Sequence, residues 1–247
     1  GILALLSLGT LGRALGEPSL QSRKEKLKSM DSKLSAEAVA RKRRSEEILR
    51  GESVPLNTHL PVIEVEADSK RRSTEEVAYR ALALLLVAVK GEGLEQAIVE
   101  RIAKDYGLQA HLTPKEQVFV RDTSPSRNDC IQFAWRYEAA WVMLWALGYV
   151  DLLGKPTAIC DVPRAVKTMK ERSASKFVKD SRIRALSELV DQADLIYRYH
   201  WAVVDARVNG RPVPSGLEPG VTLERHYSLN WLVGYMDQDW DHISTDT

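Results

Sequence analysis

Two cysteines in 247 residues exclude a disulfide scaffold and a zinc ribbon, both of which need more thiols than Cys130 and Cys160 supply. Charge of one sign is also missing. A formal net charge of +1 gives no global attraction to nucleic acid or anionic lipid, so any such contact has to come from a local patch. No apolar run reaches the length that spans a bilayer, and period-2 alternation is almost absent, which leaves little room for a sheet. His-Glu-x-x-His, Gly-x-Ser-x-Gly, phosphate-loop and dinucleotide fingerprints do not occur, so no motif names a reaction, a metal or a cofactor. The 44% hydrophobic and 28% charged fractions belong to an ordinary globular chain with a sizeable core.

Helix signals fill most of the chain. Ser73 with Glu76 and Thr113-Pro114 with Glu116 are capping boxes, and Gly91, Gly107 and Gly148 stand where helices should stop. A long helix is expected over about 129–147, with its second half apolar all round and therefore central. Asp161 caps a further helix, and Ser181 is expected to start the longest one, running to about Val208. After the Pro/Gly loop 211–220, a last helix covers about 221–235. A short strand or extended crossing is expected at 62–66. The fold class is accordingly mainly α: a single-domain multi-helix bundle with at most one or two short strands.

The N-terminal part of the chain differs in character, an apolar stretch followed by a charged helical region from Arg23 to Arg50. Ile2 to Gly12 is apolar, and it fits a signal-peptide core, the remnant of a membrane anchor or a short docked helix. Residues 21–50 hold ten Lys/Arg against five Asp/Glu, ending in Arg41-Lys42-Arg43-Arg44. With no interleaved aromatics, this patch reads as a solvated helix face, and nucleic acid is not expected as a partner. A membrane contact would run only through residues 1–28. The localisation expected is cytoplasmic, with a membrane-anchored or exported protein as the alternative.

Chemistry-bearing residues concentrate near the C-terminus. Asp194, Arg198, His200 and Asp205 lie on the long helix, with His200 on its apolar stripe and Asp194 and Arg198 at i, i+4 spacing. Glu224 and His226 open the last helix. If the two helices are antiparallel, Arg198, His200, Asp205, Glu224 and His226 are the candidate site residues, with donor groups suited to zinc, iron or manganese or to metal-free acid/base work. Glu224 and His226 diverge on a regular helix, which weakens a metal reading. The alternative is a structural network: a core histidine, and an ion pair between Arg198 and an acid. Arg136 and Glu138 also enter the central helix as candidates for buried pairing. Trp240 with its neighbouring acids suits docking of the tail on an Arg-rich surface. Buried, inert thiols are expected at Cys130 and Cys160, with Cys160 at a helix start the one candidate for reactivity.

Several of these blocks, in order, resemble the family called domain of unknown function 4272. They are Lys42 to Arg50, Leu60-Pro61, Arg72 to Arg80, Trp135-Arg136-Tyr137-Glu138 with Leu144 to Gly148, Cys160-Asp161, Asp194 to Arg207, Glu224 to Trp231 and Trp240-Asp241. The resemblance covers about residues 41–247 and so implies a helical domain there, with residues 1–40 as an apolar and basic helical extension outside it. It implies a mostly helical, bacterial-type domain and no reaction, and it supplies no catalytic residues. The leading functional expectation is a non-enzymatic helical domain with a structural Arg/Asp/His/Trp network and a protein-partner-binding role. The alternatives are a hydrolase with a pocket of His200, Asp205, Glu224 and His226, metal-assisted or not, and an envelope-associated protein held by its N-terminal segment.

Overall fold

Ser73 begins the architecture: its hydroxyl accepts from the Glu76 N–H while the Glu76 carboxylate accepts from the Ser73 N–H, and the Ala/Leu-rich run that follows has no residue to stop it before Gly91. In the computed structural model, which describes residues 35–63 and 72–247, all regular structure among those residues is helical. The apolar and basic segments at 1–34, and most of the strand expected at 62–66, lie outside the described residues; Val62 and Ile63 belong to no regular element.

In chain order the helices are α1 (Ala36–Gly51), α2 (Thr74–Gly91), α3 (Gln96–Asp105), α4 (Pro114–Arg121), α5 (Arg127–Ala134) and α6 (Arg136–Ala146). They continue with α7 (Val162–Lys170), α8 (Ala174–Asp180), α9 (Leu186–Val208) and α10 (Pro219–Leu232), with short 3₁₀ turns between and after them. Helix α2 is buried nearly all round from Val77 to Ala88, and so is α6 from Tyr137 onward. Contacts run α1 to α9 to α10 to α6 to α2, with α5, α8 and α3 around the far side of α2. The main apolar core is α2 against α6; the polar residues gather one layer away, where α6, α10 and α9 meet.

Two expected helix boundaries are displaced, each for a visible reason. The helix expected over 129–147 is divided at Trp135, where the Glu138 N–H bonds the Trp135 carbonyl at 3.0 Å in a tightened i to i−3 turn. Ser181 does not start α9. Residues 182–184 instead cap the end of α6: the Arg182 N–H bonds the Leu147 carbonyl and the Arg184 N–H the Ala146 carbonyl, both at 2.9 Å. The Arg184 side chain also bonds the carbonyls of Trp145, Val150 and Asp151. Satisfying the orphan carbonyls of a buried helix end outweighs the local helical preference of the segment.

Two glycines mark close approaches. A Cβ on Gly91 would lie 2.6 Å from the Cys130 carbonyl oxygen, so glycine is what lets α5 cross the end of α2. One on Gly220 would lie 2.5 Å from the Trp135 ring, which lets α10 begin against the α5–α6 joint.

Candidate functional site

His226 on α10 meets His200 on α9, and a turn further along Leu229 lies with Ile196, so the two helices run antiparallel. The two Nδ1 atoms are 2.8 Å apart, and both residues are buried. A hydrogen bond between two Nδ1 atoms requires one ring to donate Nδ1–H and the other to offer a bare Nδ1, so at most one ring is charged, and two neutral rings are opposite tautomers. Burial favours both rings neutral. Burial pulls His200 down to about 4, assisted by the positive Arg207, and pulls His226 down to about 3, assisted by His200.

The remaining candidates divide among different partners. Arg198 makes a two-pronged pair with Asp194, Nε at 2.9 Å and Nη2 at 2.7 Å, and Nη2 also donates to the Pro61 carbonyl. Both side chains are fully buried. Glu224 accepts from Arg136 Nη1 at 2.9 and 3.1 Å, and burial raises its carboxyl pKa against the pull of that guanidinium. Asp205 accepts from Asn209 and Arg211 near the far end of α9. Of the five candidates, the structure thus brings His200 and His226 together and takes Arg198, Asp205 and Glu224 elsewhere. Among the described residues no group of three or more His, Cys, Asp or Glu is placed to hold a metal ion.

Arg225 and Glu138 complete the seam, and neither was among the site candidates. Arg225 reaches Glu138 at 3.5 Å and donates to the carbonyls of Leu153 and Gly154; burial lowers its pKa while Glu138 opposes the shift. Arg136 with Glu224 and Glu138 with Arg225 form a crossed double pair between α6 and α10. The signal was present in the sequence: Arg-x-Glu on one apolar helix and Glu-Arg on another are complementary in sign. The far side of α2 holds a similar buried pair, Arg80 to Glu116 at 2.5 Å, with Arg80 also 5.1 Å from the Trp240 ring centroid. Trp240 is itself buried, with Trp231 and Tyr227 against it edge-on, so the tail does fold back.

Glu138 also accepts from the Cys160 N–H and so reaches a second feature that sequence reasoning missed. A cleft of about 290 Å³ opens between the ends of α2, α5 and α7, lined by Ile131, Trp135, Tyr137, Ile159, Cys160 and Val162, with Glu92 and Glu138 as its charged members. Ile131 and Ile159, 47% and 64% exposed, form part of its apolar wall. The Tyr137 hydroxyl donates to Glu92 Oε2, and burial together with that carboxylate raises the phenol's pKa. The Cys160 thiol is likewise pushed up, by burial and by Glu138, so it stays protonated and poorly nucleophilic. Glu92 sits between Gly91 and Gly93, where the sequence reads only as a helix stop.

Fold and seam together define a mainly helical domain with an internally paired polar layer and an apolar cleft at its edge. The family model described as Domain of unknown function (DUF4272) matches residues 41–243, and the chain belongs to that family. No curated protein and no solved structure matches it.

Proposed function

We propose that this is a non-catalytic binding domain in which the polar seam is structural and the cleft beside it receives a ligand group. The observation that carries the reading is the pairing of the seam: Arg198 on Asp194, Arg136 on Glu224, Arg225 on Glu138 and His200 on His226. A general base or nucleophile needs a lone pair facing substrate, whereas the carboxylates here face guanidinium groups and the two histidines spend their Nδ1 atoms on each other. The hydrolase reading has less support, because its four residues have three separate sets of partners. The cleft, by contrast, combines apolar walls with a few polar groups, the usual make-up of a ligand site.

The basic run of α1 fits the same reading. Arg41 and Arg44 bond Asp191, and Lys42 donates to the carbonyls of Thr58 and Leu60, so three of its four cations hold the fold. No helix among the described residues is long and apolar enough to cross a membrane. Two free thiols suit a reducing compartment, and we place the domain in the cytoplasm.

The test is methyl NMR on protein labelled at isoleucine δ1, titrated with indole and hexan-1-ol. Shifts at Ile131 and Ile159, with Ile196 unmoved, support the cleft as the binding site. Unmoved cleft methyls, or shifts centred on Ile196 beside the seam, contradict it.

A further inference from the structure

Resting on that reading, we infer that the cleft selects a small amphipathic cation, an amine on an apolar body, over neutral or anionic molecules of the same shape. Its lining contains two carboxylates, Glu92 and Glu138, and no lysine, arginine or histidine. The two acids are not equivalent. Glu138 is buried and engaged by Arg225 and the Cys160 N–H, so its charge is largely answered from inside. Glu92 is exposed, and its carboxylate accepts, among the described residues, from the Tyr137 hydroxyl on Oε2. That bond orients the carboxylate without neutralising it, and leaves Oε1 open to a second donor.

The surroundings of Glu92 set what that donor is attached to. Trp135 and Tyr137 supply aromatic rings, whose faces attract an ammonium, while Ile131, Ile159 and Val162 supply apolar wall. An alkyl or aryl amine satisfies both halves: the ammonium on Glu92, the apolar body along the isoleucines. A carboxylate in the same place meets Glu92 with like charge, and an alcohol gains the wall contacts but no ion pair. The site is a concavity at a helix joint rather than a long groove, which suits a small molecule over an extended chain. The occupant's chemical class is therefore a primary amine carrying a short apolar chain or ring.

Hexylamine, hexan-1-ol and hexanoate differ only in the head group, and their affinities at pH 7.5 in low salt, read by calorimetry and by the Ile131 and Ile159 methyl shifts, test the inference. Hexylamine is expected to bind about fivefold more tightly than hexan-1-ol, the weight of a half-exposed ion pair and a cation–π contact, with hexanoate weakest. Glu92→Gln keeps an acceptor for Tyr137 and removes the ion pair, and is expected to bring the preference for hexylamine below about twofold, the remainder being the cation–π contact, while hexan-1-ol binding changes little. Hexanoate or hexan-1-ol binding as tightly as hexylamine, or an amine preference undiminished in Glu92→Gln, overturns the charge selectivity and leaves the cleft reading standing. No binding by any of the three, with both methyls unmoved, overturns both.

Discussion

Acidifying this protein from pH 7 to pH 5 is expected to remove about 4 kcal/mol of stability through two residues alone, His200 and His226. In the unfolded chain each histidine titrates at 6.5, whereas in the native state burial pulls them down to about 4 and about 3. A base with a depressed native pKa binds more protons when unfolded, so stability is full above about 6.5 and falls as pH drops toward the native values. At pH 5 the unfolded form of each ring is almost wholly protonated and the native form is not, which costs about 2 kcal/mol per histidine relative to pH 7. Against a total of roughly 5–15 kcal/mol for an ordinary domain, that is a large share. Urea unfolding followed by circular dichroism at pH 7, 6 and 5 measures the loss. The double variant His200→Leu/His226→Leu replaces both partners with apolar groups, so it is expected to fold and to lose about 4 kcal/mol less than the wild type over the same interval. His111, whose pKa burial also lowers, is present in both proteins and cancels. Equal losses in wild type and double variant would refute the sealed pair.

Other expectations concern the pairs and close approaches around the seam. Asp194→Ala leaves the Arg198 guanidinium buried without its counter-charge and is expected to cost about 3–5 kcal/mol in urea unfolding, much of it recovered in Asp194→Leu/Arg198→Met. Gly220→Ala forces a methyl into the Trp135 ring and is expected to cost about 1–3 kcal/mol, read as a lower Tm with a shift in tryptophan emission. Cys160 is expected to alkylate with iodoacetamide at pH 8 at least about tenfold more slowly in the native protein than in urea, followed by peptide mass spectrometry; equal rates would contradict its protonated, shielded state.

What the sequence disclosed follows the range of the interactions involved. The capping boxes at Ser73 and Thr113, and the Asp194 to Arg198 pair, are local in sequence, and each is found where the spacing places it. His200 on an apolar stripe and His226 across a Pro/Gly loop were enough to expect their meeting, given an antiparallel turn. The start of α9 was not legible, because residues 182–184 answer to the end of α6 rather than to their own helix propensity. That Glu224 and His226 diverge is legible from their spacing, but the partner of Glu224 is not, because Arg136 is 88 positions away. Glu92 gave no signal at all. Its setting depends on where α5 and α7 bring Ile131 and Ile159, which is a property of packing.

The central claim is that the polar residues of α9 and α10 close on one another instead of opening to a reactant. Long-range proton–nitrogen NMR on protein labelled with ¹⁵N-histidine tests it most directly, since the ring-nitrogen shifts report tautomer and protonation state. His200 and His226 are expected to show opposite neutral tautomers, unchanged from pH 7.5 to pH 5, with the shared proton exchanging slowly with water. Rings that titrate near 6.5, or that share one tautomer and exchange freely, would contradict it.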